Sequence, residues 1–86
     1  MGNRLTAKPR QPHVRNEEAI ASLKISAREC EVLEMLAAGH ANKVIARRLD
    51  ISPNTVKTHV ARLFEKLEVA SRTQAIGKAR ELDILP

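Results

Sequence analysis

Between Ser52 and Leu67, Asn54, Thr58, Ala61 and Arg62 fall on one side of a helical wheel, with Lys57 and Thr55 flanking them. These groups are small, polar or cationic. Their chemistry is recognition rather than bond-breaking: amides and hydroxyls can match base edges, and cations can meet phosphates. A helix with this outer face fits the major groove of duplex DNA, where base edges are readable. The same face could also simply be solvated, and the flanking sequence bears on which reading holds.

The opposite side of this helix must be buried. Val56, Val60, Leu63, Phe64 and Leu67 recur at i, i+4, i+7, i+8 and i+11, one apolar stripe of helical period. The start is well marked. Ser52 is an N-cap, Pro53 sits where a missing N–H costs nothing, and Ile51 and Val56 can form a hydrophobic staple. Just upstream, residues 42–49 form a helix of about two turns, too short to stand without packing. Ile45, Ala46 and Leu49 give it an apolar side, while Lys43, Arg47 and Arg48 point out. Asp50-Ile51-Ser52 joins the two helices so tightly that residues 42–61 read as a helix-turn-helix.

Two further helices support this pair. Ser26 and Glu29 form a capping box ahead of a helix that buries Leu33, Leu36 and Ala37, with Val32 and Met35 on its margins. Gly39 ends that helix in a left-handed conformation. Cys30 falls at the staple position opposite Ile25 and reads as a small packing residue. Ser71 and Gln74 form a second capping box, and Ala75, Ile76, Ala79 and Leu82 face inward behind it. Gly77 lies on the outer side of this last helix with Gln74, Lys78 and Glu81 as neighbours. Residues 16–24 could form a short helix capped by Asn16, with Ala19, Ile20 and Leu23 inward. Residues 1–15 hold two prolines, scattered bases and no periodicity. Residues 1–24 are accordingly assigned to a flexible basic arm or linker and 25–86 to the folded domain. The expected fold is all-α: a four-helix domain with a central helix-turn-helix and a disordered basic N-terminal arm.

Composition agrees with a polyanionic partner. The 86 residues carry a formal net charge of +5, enough chain for one small domain. Lys43, Arg47, Arg48, Lys57, Arg62 and Lys66 outnumber Asp50 and Glu65 across 41–66, whereas Glu29, Glu31 and Glu34 outnumber Arg28 across 26–38. Phe64 is the only aromatic residue, so there is no platform for stacking single-stranded bases. One cysteine rules out an internal disulfide framework and a cysteine-rich zinc site. His13, His40 and His59 show no catalytic or metal-ligand spacing, so the chain reads as neither an enzyme nor a cofactor protein. His59 reads as a packing residue or a phosphate donor at the helix edge. No apolar run is long enough to span a bilayer and no signal peptide is evident, giving a cytoplasmic expectation with no membrane partner.

These segments together resemble the LuxR-type helix-turn-helix domain found in LuxR, NarL/FixJ and MalT-like regulators. The matching strings are R-E-x-E-V-L from Arg28, G-x-x-N-K-x-I-A from Gly39, I-S-x-x-T-V-K-x-H from Ile51, and K-L-x-V-x-x-R-T-Q-A from Lys66. The ending RTQAIGKAREL looks more like the MalT-like subclass. The resemblance implies a sequence-specific DNA-binding transcriptional regulator, or its C-terminal effector domain. It places Lys57, Thr58 and Ala61 at base edges and Asn42, Lys43, Thr55, Arg62 and Lys66 at phosphates. It also implies a weak homodimer through the last helix, formed mainly on DNA, here at Gln74, Gly77, Lys78 and Glu81. RNA polymerase is a further implied partner. The chain departs from the family pattern at Ala41 and Val44, where a Ser and a Glu would make a capping box; Asn42 is then the expected cap. A helical protein-interaction module using the basic face on an acidic partner is the alternative in another class, and a sigma-factor helix-turn-helix is a nearer one.

Overall fold

A computed structural model of the chain describes residues 13–86. Residues 1–12 of the arm expected at 1–24 lie outside them. Five helices follow in order: α1 (Glu17–Leu23), α2 (Ala27–Ala37), α3 (Asn42–Leu49), α4 (Pro53–Leu67) and α5 (Arg72–Glu81). Helix α4 is the hub, packing on α2, α3 and α5, and α2 also meets α5. The core is aliphatic, with Val32, Leu33, Ile45, Val56, Leu63, Leu67, Ala75 and Ala79 at its centre. Phe64 and Val60 complete the α4 stripe at its half-buried edges.

The fifth helix is the difference from the four expected. Helix α1 is only seven residues long and cannot persist by propensity alone. It forms because it is tied down at both ends. Asn16 caps it, accepting the Ala19 N–H at 3.1 Å. The same residue donates its backbone N–H to the Asp83 carbonyl and its side-chain amide to the Leu82 carbonyl, both at 3.0 Å. Ile20 is buried and Ala19 and Leu23 pack against the core. Residues 16–24 are therefore part of the packed structure, joined to the far end of the chain.

The N-terminal caps follow local sequence closely. In α2 the Ser26–Glu29 box is complete, with reciprocal bonds of 2.9 and 3.0 Å. Ser52 accepts the Thr55 N–H at 3.1 Å, with Pro53 in the first turn of α4. In α5 the box is offset. Ser71 accepts the Gln74 N–H at 3.2 Å, but the Gln74 Oε1 reaches past Ser71 to the Ala70 N–H at 2.8 Å. Helix α3 is capped by Ala41, not by Asn42, and no side chain bonds to its first turn. The backbone explains the register: the Ala41 carbonyl accepts the Val44 and Ile45 N–H groups at 2.9 and 3.0 Å.

The C-terminal ends share one device. Lys24, Gly39, Asp50, Glu68 and Asp83 each take a positive φ between 56° and 90°. The next N–H then returns to the carbonyl five residues back: Ile25 to Ile20, His40 to Met35, Ile51 to Ala46, Val69 to Phe64 and Ile84 to Ala79, at 2.8–3.1 Å. This is the Schellman closure. Only Gly39 announced it in the sequence. At the other four positions a side chain bears the cost of a left-handed residue, roughly 1–2 kcal/mol. The compensation is visible at the following residue. Ile25 and Ile84 are buried, and Ile51 and Val69 pack against the core.

Candidate nucleic-acid interface

Helix α3, the turn Asp50-Ile51-Ser52 and helix α4 form the expected pair of helices. Burying Val56, Leu63 and Leu67 to 0–1% exposure fixes the rotation of α4. The opposite side must then face solvent. Asn54, Thr55, Lys57, Thr58, Ala61 and Arg62 are all exposed along it. Lys43, Arg47 and Arg48 of α3 are exposed as well, and Asn42 is half-buried. The residues assigned to base edges, and Lys43, Thr55 and Arg62 of those assigned to phosphates, are thus all exposed.

Hydrogen bonds within α4 set what that surface can offer. The Ser52 and Thr55 hydroxyls lie 2.9 Å apart, so one proton closes that bond and the other remains free to donate outward. The Thr58 hydroxyl donates to the Asn54 carbonyl at 3.1 Å. Thr58 therefore presents its γ-methyl and an oxygen lone pair rather than a donor. Ala61 presents only a methyl group. Lys57 and Arg62 form no ion pair among the described residues, and their charges stay available to an anion. The His59 Nδ1 is buried with no hydrogen-bond partner.

Lys66, expected at a phosphate, is engaged within the fold. Its ammonium donates to the Glu29 Oε1 at 2.6 Å and to the Lys24 carbonyl at 2.7 Å. Glu29 is 3% exposed, and the same oxygen also accepts the Ser26 N–H. Burial pushes the Glu29 carboxyl up, but Lys66 and Ser26 more than offset this and leave it below its ordinary value. One lysine thereby joins the end of α1, the start of α2 and the last turn of α4. Sequence reading missed the pair because capping-box glutamates are usually solvated and the partners are 37 residues apart. Arg72 makes a second tie, its guanidinium donating to the His40 carbonyl in the turn between α2 and α3.

On α5, Gly77 is exposed and a Cβ built on it would meet nothing within 4 Å. Glu81 and Gln74 are exposed and Lys78 is half-buried. Cys30 is buried in the core, and burial pushes its thiol above the ordinary value, as befits a packing residue.

Residues 23–79 match the model of the bacterial regulatory proteins, luxR family. The chain belongs to that family. Escherichia coli YhjB, named an HTH-type transcriptional regulator, is 55% identical over 60 residues, covering 69% of this chain and 30% of YhjB. Mycobacterium tuberculosis NarL, named a transcriptional regulatory protein, is 43% identical over 72 residues, covering 84% of this chain and 33% of NarL. The crystal structure of the response regulator ChrA of a heme-sensing two-component system superposes with a TM-score of 0.69 at 39% identity. That match covers 93% of this chain and 34% of ChrA. The chain thus spans about a third of the length of these three proteins. No helix among the described residues is long and apolar enough to cross a membrane.

Proposed function

We propose that this chain binds double-stranded DNA with sequence preference, as the DNA-binding part of a bacterial transcriptional regulator. The observation that carries this reading is the division of α4. One side is sealed into the core, while the other exposes Asn54, Thr55, Lys57, Thr58, Ala61 and Arg62, and the neighbouring α3 exposes Lys43, Arg47 and Arg48. Helix α4 lies in the major groove with Lys57, Thr58 and Ala61 at base edges. Asn42, Lys43, Thr55 and Arg62 meet phosphates. Lys66 is left out of the phosphate set because its ammonium is engaged by Glu29. Two copies meet weakly through α5 around Gln74, Gly77, Lys78 and Glu81, mainly when both occupy DNA. One face of one short helix buries too little area for a stable free dimer.

The test is duplex binding measured against salt, for the parent chain and for Lys57→Ala. Phosphate contacts give a linear fall of log affinity with log salt, with a slope of about 0.9 per contact. Lys57→Ala is expected to cost on the order of 1–3 kcal/mol on the preferred sequence and to relax preference at one position. Unchanged affinity and unchanged preference in that variant would remove Lys57 from the base-reading set. Equal affinity for an acidic protein would favour the interaction-module reading.

A further inference from the structure

We propose that Asn54 is a sequence-reading residue of this interface and that its carboxamide selects adenine. The inference rests on the major-groove placement of α4 proposed above.

The first two turns of α4 hold few side chains with free hydrogen-bonding groups. Ser52 and Thr55 are engaged with each other and with the helix start. Thr58 has given its proton to the Asn54 carbonyl. Pro53 has no polar side chain. Among the described residues, the Asn54 carboxamide makes no hydrogen bond, although an Asn at a helix start often folds back on its own backbone. Its exposure and position place it outward, between the Ser52 cap and Lys57. Of the exposed side chains in these turns, Asn54 alone carries an unengaged donor and an unengaged acceptor on separate atoms, side by side in one plane.

That pairing is what adenine requires. In the major groove adenine shows an acceptor at N7 and a donor at N6, and a carboxamide bonds both at once. Guanine shows two acceptors and instead suits a cation such as Lys57. Asn54 precedes Lys57 by three residues, about 4.5 Å along a helix axis. A base step is about 3.4 Å, so the two side chains address neighbouring base pairs. Ala61 lies about 6 Å beyond Lys57 and can meet only a methyl group, which thymine supplies. The carboxamide is thus the reader at the leading edge of the contact, with the methyl of Ala61 at its trailing edge.

The test is selection of bound duplexes from a randomised pool by the full chain, Lys57→Ala, Asn54→Ala and Asn54→Arg, each checked for helicity by circular dichroism. The parent chain is expected to enrich adenine at one position adjacent to the one that Lys57→Ala relaxes. Asn54→Ala should lose that enrichment alone, with affinity for the selected site falling on the order of tenfold. Asn54→Arg should move the preference at that position from adenine to guanine. Persistence of the adenine in the Asn54→Ala pool overturns the inference. So does an equal weakening on all sequences, which would make Asn54 a phosphate contact. A parent chain that enriches no sequence at all overturns both this inference and the reading beneath it, whereas the two former outcomes leave the DNA-binding reading standing.

Discussion

Replacing Lys66 with Met removes the ammonium that joins three helices but keeps most of the aliphatic stem. The carboxylate it leaves behind is nearly inaccessible, with the Glu29 side chain 4% exposed against 29% for Lys66. Removing one partner of a fully buried pair costs about 3–5 kcal/mol, and a single hydrogen bond to a charged group contributes about 1.5–3 kcal/mol. The partly open Lys66 end lets water approach, and the Ser26 N–H still serves Glu29. The lower part of these ranges applies, about 2–3 kcal/mol, which for a domain of this size lowers the melting midpoint by about 8–24 °C. A double-mutant cycle with Glu29→Gln isolates the pair, and a coupling of at least about 1 kcal/mol is expected. The sign of the pH dependence follows from the lowered Glu29 carboxyl. Its contribution is fully present above the ordinary value of 4.5 and is lost as pH falls through the lowered folded-state value, so the gap between parent and variant should close there. At neutral pH, and at a temperature where both are folded, Lys66→Met should leave the salt slope of DNA binding unchanged. A melting midpoint within about 2 °C of the parent, together with a slope reduced by about 0.9, would refute the reasoning and return Lys66 to the phosphate set.

Two further perturbations separate local from assembled effects. Ala41 already has N-cap backbone angles, φ −72° and ψ 158°, and lacks only a side-chain acceptor, so Ala41→Ser should stabilise the fold by about 0.5–2 kcal/mol in thermal or urea melts. No gain would mean that the first turn of α3 is already well solvated. Gly77→Leu has open space around its new Cβ and should itself raise stability by roughly 0.5–1 kcal/mol, because glycine is a poor helix former. The same variant should bind a single half-site normally but lose cooperative binding to a paired site, and retained cooperativity would place the dimer contact elsewhere.

The local part of this architecture was legible in the residues. The Ser26–Glu29 box, Ser52 with Pro53, and the apolar spacing of α4 each depend on groups within a few turns of one another, so sequence spacing is already spatial spacing. The outward face of α4 follows directly: once Val56, Leu63 and Leu67 are buried, Asn54, Thr58 and Ala61 have only solvent before them. The family resemblance was legible for the same reason, since its strings coincide with caps, turn and recognition helix. Contacts between distant segments were decided only by the tertiary structure. Asn16 finds the carbonyl of Leu82 66 residues away, which makes α1 part of the fold although seven residues cannot hold a helix alone. Ile84 and Leu85 become core residues because the left-handed turn at Asp83 swings them inward. Lys66 looked like an outward cation on a basic helix, and only the packing of α2 against α4 brought Glu29 within 2.6 Å of it. A buried carboxylate requires a cationic or hydrogen-bonding partner, and which side chain reaches it depends on how the helices dock.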